Sequence, residues 1–142
     1  MSNITQESKS NELLLDTNIV TYLSGDNTWR SLYLSIVIGK RLYISFMTFA
    51  ELWESACHRG WNCKKLQELR KRLTKDFVLL PFNDKICEYF GEIRCERRNR
   101  PISVPDALIA ATALAYKLPL VTHNKKDFDN ISGLEIITKY TV

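Results

Sequence analysis

With 142 residues, 45% of them hydrophobic and 25% charged, the chain has the size and mix of one globular domain, which excludes a disordered tract and a membrane-embedded bundle. The longest apolar stretch, Leu32 to Ile38, is interrupted by Tyr33 and Ser35 and is too short to cross a bilayer, and the polar opening residues lack the pattern of a secretory signal. A cytoplasmic location with no membrane contact is therefore expected, and the net charge of +4 favours a polyanionic partner weakly.

Residues 1–11 are polar and are expected to form a flexible lead-in to a single domain spanning 12–142. Glu12-Leu-Leu-Leu-Asp16 reads as a short buried strand that ends at an acid, and Asp-Thr-Asn is the chemistry of a helix start. Helices are expected over Asn18 to Ser24 and Thr28 to Ile38, parted by the turn signal Gly25-Asp-Asn, with a second strand at Leu42 to Ser45. Thr48-Phe-Ala-Glu51 has the spacing of a capping box and is expected to open a helix that runs to His58 and stops at Gly60. A charged helix over Trp61 to Lys75, a strand at Phe77 to Leu80 and a long helix over Asn83 to Arg98 follow. Pro105 fits the first position of a largely buried helix ending near Tyr116, and strands at Leu118 to Thr122 and Leu134 to Ile137 complete the series. Short, wholly apolar strands alternating with helices predict an α/β fold, a mainly parallel central sheet flanked by helices on both faces.

Ligands of an open parallel sheet bind beyond the carboxyl ends of its strands. Asp16, Glu51, Asp106, Asn124 and Asp127 all fall on that rim in this reading. Singly, each has a local explanation: Asp16 as a helix cap, Glu51 as half of the capping box with Thr48, Asp106 as a complement to a helix dipole, Asp127 as a solvated turn carboxylate. Together they repel one another unless a cation neutralises them, and a hard ion with oxygen ligands, Mg²⁺ or Mn²⁺, suits the donor set. Such an ion can activate water and stabilise charge on the leaving oxygen of a phosphodiester.

At these residues the chain resembles the PIN-domain ribonucleases, and among them the VapC-type toxins. The resemblance rests on Leu-Leu-Asp16-Thr17-Asn18, on Thr48-Phe-Ala-Glu51-Leu, on the block from Arg100 through Pro-Asp106-Ala-Leu-Ile-Ala-Ala to Leu114, and on Val121-Thr122-His-Asn124-Lys-Lys-Asp127-Phe128 followed by Gly133-Leu134. It implies a PIN-like fold, Mg²⁺- or Mn²⁺-dependent endonucleolytic cleavage of RNA, neutralisation by a small protein antitoxin, and homodimers. It implies Asp16, Glu51 and Asp106 as the core acids and metal ligands, with Glu51 either a ligand or the base to the attacking water. Asn124 and Asp127 would contribute at second rank, and Thr17, Asn18 and Thr122 would position the acids through hydrogen bonds. One departure is visible, since many relatives have Gly where this chain has Ser103, which puts the loop before Asp106 in question.

Arg97, Arg98, Arg100 and Lys125 are the candidate RNA contacts, weighed against ordinary solvated helix faces. Trp29, Trp53 and Trp61 are read as core or interface aromatics, His123 as a solvent-facing loop residue, and Cys57, Cys63, Cys87 and Cys95 as buried or half-buried reduced thiols. Apolar positions between Asn18 and Trp61 would suit the antitoxin groove of the family. Two alternatives stay open: a PIN nuclease acting in RNA maturation, and a non-catalytic module that binds RNA or a partner.

Overall fold

Leu13, Leu14 and Leu15 are fully buried, and the strand they build lies inside the sheet with neighbours on both sides. The computed structural model describes residues 4–5 and 10–139. In chain order the elements are β1 (Ile4–Thr5), β2 (Glu12–Leu15), α1 (Thr17–Ser24), α2 (Thr28–Val37), β3 (Arg41–Ser45), α3 (Phe46–His58), α4 (Cys63–Asp76) and β4 (Val78–Leu80). They continue with α5 (Asp84–Glu96), α6 (Val104–Tyr116), β5 (Leu120–Val121), α7 (Lys125–Phe128) and β6 (Ile136–Ile137). The strands form one sheet in the order β1-β6-β5-β2-β3-β4, and every pairing is parallel.

Successive strand residues face opposite sides, so each apolar run feeds two cores. Leu14, Leu120 and Ile136 join the cluster under α5 and α6, where the small side chains Ala107, Ala110, Ala111 and Ala113 let α6 lie close to the sheet. Leu13, Leu15, Val121 and Ile137 join the cluster under α1 to α4, with Ile19, Tyr33 and Leu73. The sheet runs from β2 through β3 to β4 on one side, and β5 then enters on the other side of β2. The carboxyl ends of β2 and β5 thus flank the point where the strand order reverses, the usual place for a ligand crevice in such sheets.

Several boundaries differ from the sequence expectation for identifiable reasons. The helix expected from Thr48 begins two residues earlier, because Ser45 is its cap and its Oγ accepts the Thr48 N–H at 3.1 Å. The capping box between Thr48 and Glu51 does not form, and Glu51 is left for other partners. The apolar run from Leu118 reaches the sheet only at Leu120, since Lys117 adopts a left-handed conformation (φ 57°) and the Leu118 N–H closes α6 on the Ala113 carbonyl at 2.9 Å. The one-turn helix α7 stands where a turn was expected. Segment 1–11, the expected flexible lead-in, lies mostly outside the described residues, and its Ile4–Thr5 adds an edge strand against β6 that the sequence reading did not include. The four cysteines are free and exposed, not buried. Among the described residues no helix is long and apolar enough to cross a membrane.

Candidate active site

Asp16 follows the last residue of β2 and caps α1 from an extended conformation. Its Oδ1 accepts the Thr17 N–H and its Oδ2 accepts the Thr122 hydroxyl, both at 2.8 Å, while the Thr122 Oγ1 accepts the Asn124 N–H at 3.1 Å. The backbone supports the same junction: the Asp16 N–H donates to the Val121 carbonyl and the Thr122 N–H to that of Ile137. The ends of β2 and β5 are therefore locked together with the carboxylate between them. Asp16 is 4% exposed, and its carboxyl pKa is pushed up from 3.8 to about 6. Burial is the main cause, the charges of Asp106 and Glu51 add to it, and the bonds from Thr122 and Thr17 oppose it.

Glu51 comes from the second turn of α3 and accepts the Thr17 hydroxyl at 2.8 Å. Thr17 Oγ1 lies 3.0 Å from Thr48 Oγ1, which in turn receives the Ser45 hydroxyl at 3.4 Å. Since Thr17 spends its proton on Glu51, Thr48 donates to Thr17, and a file of hydroxyls from Ser45 through Thr48 and Thr17 points its donors at the carboxylate. Such aligned donors polarise one another in a low-dielectric setting. Thr48, read from sequence as a cap partner of Glu51, is instead a link in this file.

Asp106 sits in the first turn of α6 behind Pro105. Its N–H donates to the Oγ of Ser103, the N-cap, at 3.2 Å. The Ser103 backbone is extended (φ −62°, ψ 155°), so the loop needs no glycine at the departure from the family pattern, and the serine supplies the cap. Burial raises the Asp106 carboxyl, the charges of Asp127 and Glu51 raise it further, and Ser103 and Arg97 pull it down. Asp16 thus feels the charges of Asp106 and Glu51, and Asp106 those of Asp127 and Glu51.

Asn124 caps no bond of α7 with its side chain, but its backbone is held by Thr122. Asp127 is exposed on α7, and Asn18 is exposed on α1 beside Thr17 without joining the bonds that hold the acids. Of the four candidate RNA contacts, Arg97 does not fit: it is 6% exposed and donates to the carbonyls of Arg100 (2.9 Å), Asp127 (3.1 Å) and Asp129 (3.3 Å). Arg100 is partly committed as well, to the Asp129 carboxylate at 2.6 Å and the Lys126 carbonyl at 2.7 Å. The two arginines clamp the α7 turn, while Arg98 is exposed and Lys125 half-buried.

His123 also differs from expectation. It is half-buried, with its Nδ1 2.8 Å from the Tyr33 hydroxyl and its ring against Trp29, and burial lowers its pKa. Neither the hydroxyl file nor the Arg97 clamp was found by sequence reasoning. Thr48 belongs to the Thr48-Phe-Ala-Glu51 motif, whereas Arg97 sits in what reads as a surface charge run.

Among the described residues no three His, Cys, Asp or Glu side chains are grouped so that they could hold a metal ion together. The donor set nevertheless fits an ion that is held by one or two carboxylates and keeps its remaining waters, which is the habit of Mg²⁺. Carboxylates raised by mutual repulsion and burial are those that a cation would relieve.

A PIN domain family model matches residues 13–134. The chain is 32% identical over 126 residues to Ribonuclease VapC1 of Haemophilus influenzae strain R2866, covering 86% of this chain and 93% of that protein. The structure of VapBC-1 from nontypeable Haemophilus influenzae superposes with a TM-score of 0.73 at 32% identity, covering 88% of this chain and 96% of that one. VapBC2 from Rickettsia felis, bound to a DNA fragment from its promoter, gives 0.72 at 27% identity, covering 89% and 98%. With the family model, the sequence relatives and the superposed structures in agreement, the chain belongs to the PIN-domain family, in its VapC ribonuclease branch.

Proposed function

We propose that this chain is a metal-dependent endoribonuclease and the toxin half of a toxin-antitoxin pair, acting in the cytoplasm. The observation that carries the reading is the charge coupling of Asp16, at the junction of β2 and β5, to both Glu51 and Asp106, with burial and mutual charge raising both aspartates. Asp16 and Asp106 would hold Mg²⁺ or Mn²⁺. When bound, such an ion polarises water and phosphate and offsets charge at the leaving oxygen.

The protein's own part is positional. Thr17 and Thr122 fix the two oxygens of Asp16, and Ser103 fixes the turn that presents Asp106. Glu51, one oxygen held by the hydroxyl of Thr17, keeps its other oxygen for a ligand contact or for the proton of the attacking water. Cleavage requires that water to approach phosphorus opposite the leaving 3′ oxygen, so the acids must stay fixed relative to the strand.

A groove of about 260 Å³ between α1, α3 and α4 has apolar walls from Val20, Leu52, Trp61 and Leu69 and polar ones that include Arg59 and Arg72, a mix that suits an amphipathic antitoxin segment carrying acidic side chains. A homodimer is part of the same reading, and the exposed apolar side chains Leu79, Phe82 and Val104 are candidates for its interface.

The test uses protein freed of antitoxin, incubated with tRNA and total RNA in Mg²⁺, Mn²⁺ or EDTA, beside Asp16→Asn and Asp106→Asn. Discrete fragments that need metal and vanish in both variants are expected. Folded wild type that cuts nothing, or variants that cut as well, would overturn the reading in favour of a binding module. A neighbouring gene for a small antitoxin separates a toxin from a nuclease of RNA maturation.

A further inference from the structure

On the α1–α2 side of the crevice four rings gather: Tyr22, Trp29, Tyr33 and His123. The His123 ring lies 4.3 Å from that of Trp29, 5.6 Å from Tyr22 and 5.8 Å from Tyr33, centroid to centroid. Tyr33 is fully buried and bonds His123 through its hydroxyl, so the cluster has a rigid base. Trp29 stands above that base with 37% of its surface exposed, and its N–H and that of Arg30 are capped by the Asn27 side chain, which fixes the start of α2.

The cluster is also tied to the acids. His123 lies between Thr122, whose hydroxyl bonds Asp16, and Asn124, whose N–H bonds Thr122. Anything seated on the rings is thereby registered against Asp16. We propose that Trp29, backed by the His123 ring that packs against it at a 54° tilt, is a stacking platform for a nucleobase of the RNA strand beside the phosphate that is cut, a role that rests on the ribonuclease reading above.

An exposed indole at the edge of a nucleic-acid cleft is suited to a base, because every base has a π-face and stacking on an aromatic ring holds it without reading its edges. A peptide has a better place elsewhere: the groove between α1, α3 and α4 does not include Trp29 among its walls. The platform makes Trp29 a binding residue that holds the strand, and it favours purines, whose larger rings cover more of the indole.

The test measures binding of short oligoadenylate and of an abasic ribose-phosphate strand of equal length and charge, in Mg²⁺, to the cleavage-silent Asp106→Asn protein. With Trp29 present the adenylate strand should bind about tenfold more tightly than the abasic one. Trp29→Ala should bring the two together while leaving the abasic strand unchanged, and Trp29→Phe should keep most of the difference, which a mere fold defect would not. Circular dichroism and melting check that each variant is folded. An adenylate preference that survives in folded Trp29→Ala overturns the platform while the nuclease reading stands. If that variant instead loses its hold on the copurifying antitoxin, the rings serve a protein. If the protein binds neither strand and the wild type cuts no RNA, the ribonuclease reading fails and takes the platform with it.

Discussion

Asp16→Asn should make the metal-free protein more stable at neutral pH, although it removes a central acid. The Asp16 carboxyl pKa rises from 3.8 to about 6 on folding, and each unit is worth about 1.36 kcal/mol, so holding the charge in place costs the fold about 3 kcal/mol above pH 6. The asparagine keeps most of the local bonding: its amide oxygen accepts the Thr17 N–H, and its NH₂ donates to Thr122 Oγ1. That leaves the Thr122 hydroxyl proton without its acceptor, a loss of about 1 kcal/mol. The net gain is about 2 kcal/mol, or roughly 5 °C in Tm for a domain of this size. The sign in pH follows. Above pH 6 the carboxylate is charged in both folded and unfolded chains and the whole cost is felt. As pH falls from about 6 to 3.8 the folded chain takes up a proton first, so wild-type stability from this group rises through that window and is complete below it. Thermal melts in EDTA at pH 8 and pH 4 should therefore show an advantage for the variant at pH 8 alone. Added Mg²⁺ should raise the wild-type Tm and leave the variant unmoved. A variant less stable than wild type at pH 8 in EDTA, or one with the same advantage at both pH values, would refute the reasoning.

Thr48→Val keeps the shape of the side chain but breaks the hydroxyl file to Glu51; activity should fall about tenfold and stability by about 1 kcal/mol, read by RNA cleavage and urea unfolding. Arg97→Met strips donors from the carbonyls of Arg100, Asp127 and Asp129 and should cost about 3 kcal/mol in urea unfolding, whereas Arg98→Met, on an exposed side chain, should cost less than about 0.5 kcal/mol. Ser103→Ala should destabilise by about 1 kcal/mol through loss of the α6 cap, and Ser103→Gly by only a few tenths; equal effects would show that the cap contributes little. Glu51→Gln should fold normally and lose at least about 100-fold in cleavage rate, measured in single-turnover assays.

The strands and most helices were legible because their side-chain periods are strong: three leucines in β2 and the alanine-rich α6 admit few other roles. Asp16 and Asp106 were legible as acids at element boundaries, which is where local chemistry is most constrained. Glu51 was located, yet its partner was misread, because Thr48-x-x-Glu51 satisfies a capping pattern that Ser45 pre-empts three residues earlier. Arg97 and α7 were missed for a shared reason. A four-residue helix of Lys-Lys-Asp-Phe has no period to detect, and what holds it is a guanidinium some thirty residues away in sequence. The same separation made Arg97 look like one member of a solvated charge run. The edge strand Ile4–Thr5 is likewise defined by pairing with β6 and not by its own two residues.

The bond from Thr122 to Asp16 joins positions 106 apart in sequence, and β2 finds its neighbour β5 across the same distance. Closing so long a loop is late in folding, since its entropy must be met before the contact rewards it. A nascent chain leaving the ribosome therefore carries Asp16 and Glu51 long before the crevice that unites them with Asp106 and Thr122 exists. Synthesis itself delays the site: on the proposed reading, the machinery making this protein meets a completed acid crevice only after β5 has been made and inserted beside β2.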